Sequence, residues 1–161
     1  NLDFKEEQPE DEYKDLVSLA QAKDQFLSKT LEEAEDDKSK VNQSSIIFAF
    51  YPKDEIFLFT GDAGREALER VINFYYGLKN IKWLKVPHHG SKHNLNNAII
   101  TYLNPRISYI STEKYKKYAN ICTVNALKKV GNVYSTHNER CNLWYHEGTD
   151  ERDDYSTAEP L

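Results

Sequence analysis

Short apolar runs alternate with helix-like stretches from Ser44 onward, and this alternation restricts the fold more than any other feature of the sequence. The runs SSIIFAFY and EIFLFT are rich in β-branched and aromatic residues, and the PKDE between them predicts the turn of a hairpin. Further strands are predicted at IKWLKV, ISYIS, NVYST and CNLWYHE, and helices at AGREALERVINFYYGL, NLNNAIITYL and TVNALKKV. Helices alternating with buried strands indicate an α/β protein with a layered sheet.

The two ends of the sequence differ from this central part in charge. Residues 1–40 hold 13 acidic and 6 basic residues, whereas residues 41–146 hold 7 acidic and 14 basic ones. We therefore predict an acidic helical leader or insertion at 1–41, the α/β unit at 42–146 and an acidic flexible tail at 147–161. In the leader, DLVSLAQAKDQFLSKTLEEAEDD predicts one or two amphipathic helices, followed by the linker DKSKVN.

Composition restricts partners and compartment. The basic centre favours an anionic partner such as nucleic acid, although an ordinary solvated surface would have the same charge. Cys122 and Cys141 match no zinc-ribbon spacing and are too few for a disulfide scaffold, which favours a reducing compartment, and we expect the cytoplasm. No run approaches the roughly 18 apolar residues of a membrane span, so no membrane partner is expected.

Two predicted strands end in groups that could carry chemistry. FLFTGD ends in Thr60, Gly61 and Asp62, and WLKVPHHGS contains His88 and His89 just past the strand. Because the carboxyl ends of neighbouring parallel strands meet at one edge of a sheet, these side chains are expected to converge. A carboxylate and neutral imidazoles are ligands that zinc, manganese or iron takes. The sequence therefore predicts a metal-ligand loop.

Each of these residues also has an ordinary structural interpretation. Asp62 precedes a predicted helix and could serve as its N-cap, and this role is compatible with metal binding. Gly90 could serve only as a turn residue and Ser91 only as a helix cap. A pair of adjacent histidines can equally be surface or core residues. The combination of both strand ends is what favours the metal interpretation.

The stretch NQSSIIFAFYPKDEIFLFTGDAGREALERV, followed by WLKVPHHGSKHN, resembles the second half of a metallo-β-lactamase-fold hydrolase, most like the branch that contains the DNA-uptake competence proteins. The resemblance covers residues 42–146 and implies that they form the carboxyl-terminal half of an αββα sandwich with a dinuclear metal site at one edge. It implies two divalent ions, zinc or alternatively manganese. Asp62 matches the aspartate that bridges the metals, and His89 or His88 matches the late histidine ligand.

The resemblance also implies roles for individual residues. We favour His89 as the metal ligand and His88 as a catalytic contact to the substrate phosphate or leaving group, with Asp62 both ligand and catalytic residue. Ser91, Lys92, His93 and Lys116 are the further substrate-binding candidates. A solvated loop is the alternative for His93 and for the loop EKYKKY, in which Lys116 lies. His137 could also line the cleft or be a solvated loop residue, and His146 is expected to be structural.

Two departures from the family pattern shape the expected partner. The H-x-H-x-D-H motif of the first half is absent, because no histidine precedes His88, and EKYKKYANICTV stands where the branch carries a His-Pro loop. The chain begins at Asn1 and contains no methionine. We therefore expect a processed or incomplete chain whose partner is the amino-terminal half of the same enzyme.

The predicted function is a metal-dependent phosphodiesterase or nuclease. The basic centre, with Lys82, Lys85 and Lys92, favours a nucleic-acid substrate because lysines hold phosphates. The loop EKYKKY favours it too, since its tyrosines can stack on bases while its lysines hold phosphates. The same fold could instead hydrolyse a small ester, such as a phosphocholine ester or a lactone. A non-catalytic binding module on the same fold is the third alternative.

Overall fold

The computed structural model describes residues 9–112, 119–136, 143–144, 153 and 156–161. Between Phe48 and Ser135 the strands and helices alternate as the sequence predicts. A short helix at Lys40–Gln43 begins within the predicted linker, and a strand at Ser156–Thr157 lies in the predicted flexible tail; neither was predicted. In chain order the elements are α1 (Pro9–Glu32), α2 (Lys40–Gln43), β1 (Phe48–Phe50), β2 (Phe57–Phe59), α3 (Arg65–Phe74), β3 (Trp83–Lys85), α4 (Asn97–Leu103), β4 (Ile107–Ile110), α5 (Ile121–Lys128), β5 (Asn132–Ser135), β6 (Leu143–Trp144) and β7 (Ser156–Thr157).

The strands β1 to β5 form one mixed sheet in the order β1-β2-β3-β4-β5. β1 and β2 pair antiparallel, as the predicted hairpin requires, and the PKDE between them forms a short 3-10 turn. β2, β3, β4 and β5 run parallel, and each crossover contains one helix. The prediction of an α/β protein with a layered sheet is confirmed. β6 and β7 form a separate two-stranded pair.

One face of the large sheet is covered by helices. Leu58 of β2, Leu84 of β3 and Val133 of β5 point into this layer and are almost completely buried. Helix α1 contributes Leu27 and Leu31 to the same core cluster. The helix prediction for the leader is confirmed, and the end of that helix packs as part of the α/β core.

The opposite face of the sheet is aromatic. Strand register places a row of rings on it, and successive rings lie within 6.4 Å of each other, centroid to centroid. Phe48 and Phe50 at the β1 edge are more than half exposed, while Tyr134 at the β5 edge is buried. This aromatic face consists of Phe48, Phe50, Phe57, Phe59, Trp83, Tyr109 and Tyr134.

The start of helix α3 differs from the interpretation of Asp62 as its N-cap. Helix α3 begins after Gly64, and no side chain caps it, so Asp62 is not its N-cap. Asp62 lies earlier, in a turn closed by a bond from the Ala63 N–H to the Thr60 carbonyl (3.1 Å). The Asp62 carboxylate is therefore not used by the helix.

None of the helices in the described part of the chain combines the length and apolarity that a bilayer crossing requires.

Candidate active site

The carboxyl ends of three parallel strands meet at one edge of the sheet, as the sequence predicts. The loop after β2 carries Asp62, the loop after β3 carries His88 and His89, and Ser111 follows β4. The His88 N–H donates to the Gly61 carbonyl at 3.2 Å, which joins the first two loops. The edge therefore gathers a carboxylate and two imidazoles from adjacent strands.

The histidine loop has an unusual backbone. His88 and His89 adopt φ angles of 42° and 55°, and Gly90 follows at 80°. Left-handed conformations cost free energy for residues with a side chain and are often found at functional sites. A Cβ at Gly90 would lie 3.1 Å from the Ala119 Cα, so glycine is needed for space as well as for φ. A bond from the Ala119 N–H to the His89 carbonyl (2.7 Å) holds the loop in this form.

The imidazole of His89 is fixed through one ring nitrogen. Its Nδ1 lies 2.6 Å from the Ser111 carbonyl oxygen. Because a carbonyl only accepts hydrogen bonds, Nδ1 carries the proton, and in the neutral ring the lone pair is on Nε2. A protonated Nδ1 held by a carbonyl is the usual arrangement of a histidine that binds a metal through Nε2.

The imidazole of His88 is held in the same way by a carboxylate. Its Nδ1 lies 3.1 Å from the Asp37 Oδ2, and about a quarter of the His88 side chain is exposed. The Asn42 Nδ2 lies 3.3 Å from the same ring nitrogen and 2.6 Å from the same carboxylate oxygen. An ionised carboxylate can only accept, so both nitrogens donate to Asp37, and the lone pair of neutral His88 is again on Nε2.

The Asp37 carboxylate lies in a pocket of hydrogen-bond donors. Burial by itself would raise the pKa of Asp37, but hydrogen bonds from Asn42, the Ser39 N–H, Asn94 and His88 together lower it to about 2. The Ser39 N–H lies 2.9 Å from Oδ1 and the Asn94 Nδ2 lies 3.2 Å from Oδ2. The carboxylate is therefore ionised at neutral pH beside His88.

Asp62 lies beside a cation. The Lys85 Nζ is 3.9 Å from the Asp62 Oδ1 and donates to the Gly61 carbonyl at 3.0 Å. Burial lowers the pKa of Lys85, and the charge of Asp62 opposes that shift. The Asp62 N–H donates to the Ser45 Oγ at 3.1 Å, so the serine before β1 orients the backbone of this loop. Lys85 is thus close enough to compensate the Asp62 charge.

The substrate-binding candidates fall at different places. Ser91 is buried, and its Oγ accepts from the His93 N–H at 3.2 Å. The His93 Nδ1 lies 2.7 Å from the Glu35 carbonyl, so the leader holds this ring. The Lys92 carbonyl accepts a bond from Arg65. Lys116 lies outside the described residues, as do His137 and His146.

Lys82 also requires a correction. The sequence grouped it with Lys85 and Lys92 as a phosphate contact, but it precedes β3 and therefore lies at the opposite edge of the sheet from the histidine loop. Its Nζ is 3.4 Å from the Glu55 carboxylate, and the side chain is 10% exposed. A residue one strand length away from the histidines cannot share a phosphate with them.

The donors at this edge fit a metal site only in part. Asp62, His88 and His89 offer the oxygen and nitrogen ligands that zinc or manganese takes. Across the described ranges, however, no group of three or more His, Cys, Asp or Glu side chains is close enough to hold a metal ion. The described residues therefore do not form a metal site by themselves.

Sequence reasoning missed the contribution of the segment before β1. Asp37 and Asn42 lie in what the sequence indicated to be a linker, and Asn94 lies in a predicted helix. Asn94 is completely buried, and its Nδ2 also donates to the Asp62 and Ala63 carbonyls. The repeated Asp, Asn and Ser residues of this segment indicate turns, but nothing local in the sequence shows which distant side chain they contact.

Comparison with known proteins gives limited similarity. No family model matches the sequence, and no solved structure matches it. The chain is similar to ComE operon protein 3 of Bacillus subtilis (strain 168), with 35% identity over 86 residues. The match covers 53% of this chain and 11% of that protein, so the chain spans only a small part of its curated relative.

Proposed function

We propose that this chain is part of a metal-dependent hydrolase of the metallo-β-lactamase fold that cleaves phosphodiester bonds, most specifically as a nuclease. The observation that carries the proposal is the meeting of Asp62, His88 and His89 at the carboxyl edge of adjacent parallel strands, with both imidazoles held through Nδ1. Crevices at such edges are where open α/β sheets bind their ligands. The similarity to ComE operon protein 3 accompanies the resemblance of the sequence motifs to the branch that contains the DNA-uptake competence proteins, and on that resemblance we propose a role connected with DNA.

The aromatic face supports the αββα part of the proposal. A two-layer α/β unit with helices on one face and exposed rings on the other can bury those rings beneath a second sheet, at the usual separation of about 10 Å. We propose that the second sheet belongs to the amino-terminal half of the same enzyme. That half also supplies the remaining metal ligands, since the residues described here do not form a metal site by themselves.

In the proposed enzyme, Asp62 and His89 would hold the metals together with ligands from the other half. The bound metals would supply a nucleophilic hydroxide near neutral pH by lowering the pKa of water. His88 moves a proton at Nε2: the imidazolium, compensated by the Asp37 carboxylate, donates to the leaving oxygen as the ester bond breaks. The departing alcohol takes that proton, and His88 returns to the neutral Nδ1–H form.

The substrate class follows from charge and from loop position. The basic centre of the chain attracts polyanions, and Lys92 follows the histidine loop directly, where a phosphate would approach. We propose that the loop EKYKKY adds contacts to phosphates and bases, with Lys116 among them. A small phosphoester or lactone would need neither the basic centre nor this loop.

The test is metal analysis and nuclease activity of the full-length protein, with Asp62→Ala as the variant and Glu66→Gln as the control. Glu66 lies four residues later on exposed helix surface and pairs only with its neighbour Arg70 among the described contacts. We expect Asp62→Ala to lose both metal and cleavage while its unfolding free energy stays within about 1 kcal/mol, because it does not cap α3. Metal without DNA or RNA cleavage would favour the small-ester alternative, and a wild-type protein without metal would favour a binding module.

A further inference from the structure

We propose that Asp37 is a positioning residue for His88, so that one side chain of the segment between α1 and β1 belongs to the active site. This inference rests on the proposed function for its catalytic meaning, but its structural content can be tested separately. Asp37 lies 51 positions from His88 in the sequence, in the segment between α1 and β1.

The contact joins the Asp37 carboxylate to the Nδ1 atom of the His88 ring. The Asp37 Oδ2 is 3.1 Å from the His88 Nδ1, and the Asp37 side chain is only 11% exposed. A largely buried carboxylate in this position accepts the Nδ1–H of His88 and so selects the tautomer with the proton on Nδ1. An amide in the same place presents a donor as well as an acceptor, so it would not fix the tautomer of His88.

The carboxylate is itself held on several sides. Oδ2 accepts from the side-chain amides of Asn42 (2.6 Å) and Asn94 (3.2 Å), and Oδ1 accepts from the Ser39 N–H. The backbone of Asp37 is also fixed, because its N–H donates to the His93 carbonyl and its carbonyl accepts from the Gln43 Nε2 at 2.6 Å. These bonds leave the carboxylate little freedom to turn away from His88.

A buried arginine ties this segment to the loop that follows the histidines. Arg65 is 7% exposed, and its Nε lies 3.2 Å from the Asp36 Oδ1. Its guanidinium donates to four carbonyls, two at the end of the leader and two past the histidine loop: Leu31, Ala34, Lys92 and Leu95. A planar guanidinium with five fixed donors suits such a clasp. The positions of Asp37 and His88 are therefore set by one shared scaffold.

The experiment compares Asp37→Asn with Asp36→Asn in the full-length protein. Asp36 is the neighbouring carboxylate, it is 38% exposed, and it faces Arg65 instead of His88. The first readout is the 15N spectrum of selectively labelled histidine at neutral pH, with the His88 signals assigned by their loss in His88→Gln. This readout needs neither substrate nor activity.

We expect wild type and Asp36→Asn to show His88 as the Nδ1–H tautomer, and Asp37→Asn to show a mixture or the Nε2–H tautomer. The same spectrum for wild type and Asp37→Asn would overturn the proposal. If Asp37→Asn does not fold, wild type alone decides, because a predominantly Nε2–H ring at position 88 would also overturn it.

The second readout is the rate of phosphodiester cleavage. Asp37→Asn should lower kcat by about 10- to 100-fold with KM unchanged, the usual range for a residue that supports an active-site histidine. Asp36→Asn should leave both constants unchanged. A kcat for Asp37→Asn equal to that of wild type would overturn the positioning role. A wild-type protein that cleaves no phosphodiester would overturn the proposed function, and the tautomer result would still stand.

Discussion

The acid dependence of stability gives the sharpest physical test of the Asp37 pocket. The pKa of Asp37 falls from an ordinary value of 3.8 to about 2 in the folded chain. Because the folded state holds the proton less tightly than the unfolded state, Asp37 contributes stability above pH 3.8, and this contribution is lost as the pH falls through 2. At about 1.4 kcal/mol for each pH unit, the carboxylate contributes roughly 2 kcal/mol at neutral pH.

The perturbation is Asp37→Asn, measured by urea unfolding of wild type and variant at pH 7 and pH 3. At pH 3, which lies between the two pKa values, about 1 kcal/mol of the Asp37 contribution remains. The difference in unfolding free energy between wild type and Asp37→Asn should therefore shrink by about 1 kcal/mol from pH 7 to pH 3. Comparing two proteins at each pH cancels the titration of groups that do not contact Asp37.

Glu66→Gln is the control for this series. The Glu66 carboxylate is 67% exposed and pairs with Arg70 one helical turn away, an arrangement that contributes at most about 0.5 kcal/mol. Its difference from wild type should be close to zero at both pH values. If the difference for Asp37→Asn is the same at pH 7 and pH 3, the carboxylate is not held by these donors, and the described geometry of the pocket is wrong.

Three further predictions use matched variants. His89→Ala should lower metal occupancy while His88→Ala lowers turnover with metal still bound, and metal analysis showing equal loss in both would contradict the assigned roles. Leu31→Ala should cost about 2 to 5 kcal/mol in urea unfolding because Leu31 is completely buried, whereas Phe26→Ala, at a side chain 67% exposed, should cost far less. Gly90→Ala should destabilise the fold by more than about 1 kcal/mol, while Gly77→Ala should not, because an added Cβ at Gly77 has no atom within 4 Å. Equal melting temperatures for the two variants would contradict the crowding at Gly90.

The strands and helices could be predicted because their signals are local. β-branched and aromatic runs mark β1 and β2, and the intervening PKDE marks the turn between them. The meeting of Asp62 with the histidines follows from one further rule, that parallel strands end at the same edge. No long-range information was needed, because each residue lies directly after a strand.

The parts that could not be predicted depend on distant contacts. The Asp37 side chain is 51 positions from His88, and an aspartate in a polar, turn-rich segment looks the same whether it faces solvent or an imidazole. The cap predicted for Asp62 was wrong because the chain makes an extra turn before α3, so that Gly64 occupies the cap position. Lys82 and Lys85 are three positions apart in the sequence but lie toward opposite ends of β3, which charge counting cannot show.

The balance of acidic and basic residues changes at about residue 41, but the hydrophobic core continues across that boundary. Leu27 and Leu31 lie in the same core cluster as the strand residues of the α/β unit. Arg65, from the first helix of that unit, spans the leader and the loop after the histidines with hydrogen bonds on both sides. The leader is mostly acidic, yet it packs against the α/β unit. Its packing is determined by the few apolar and carboxylate groups that face inward. The leader supplies both part of the core and the side chain that orients His88.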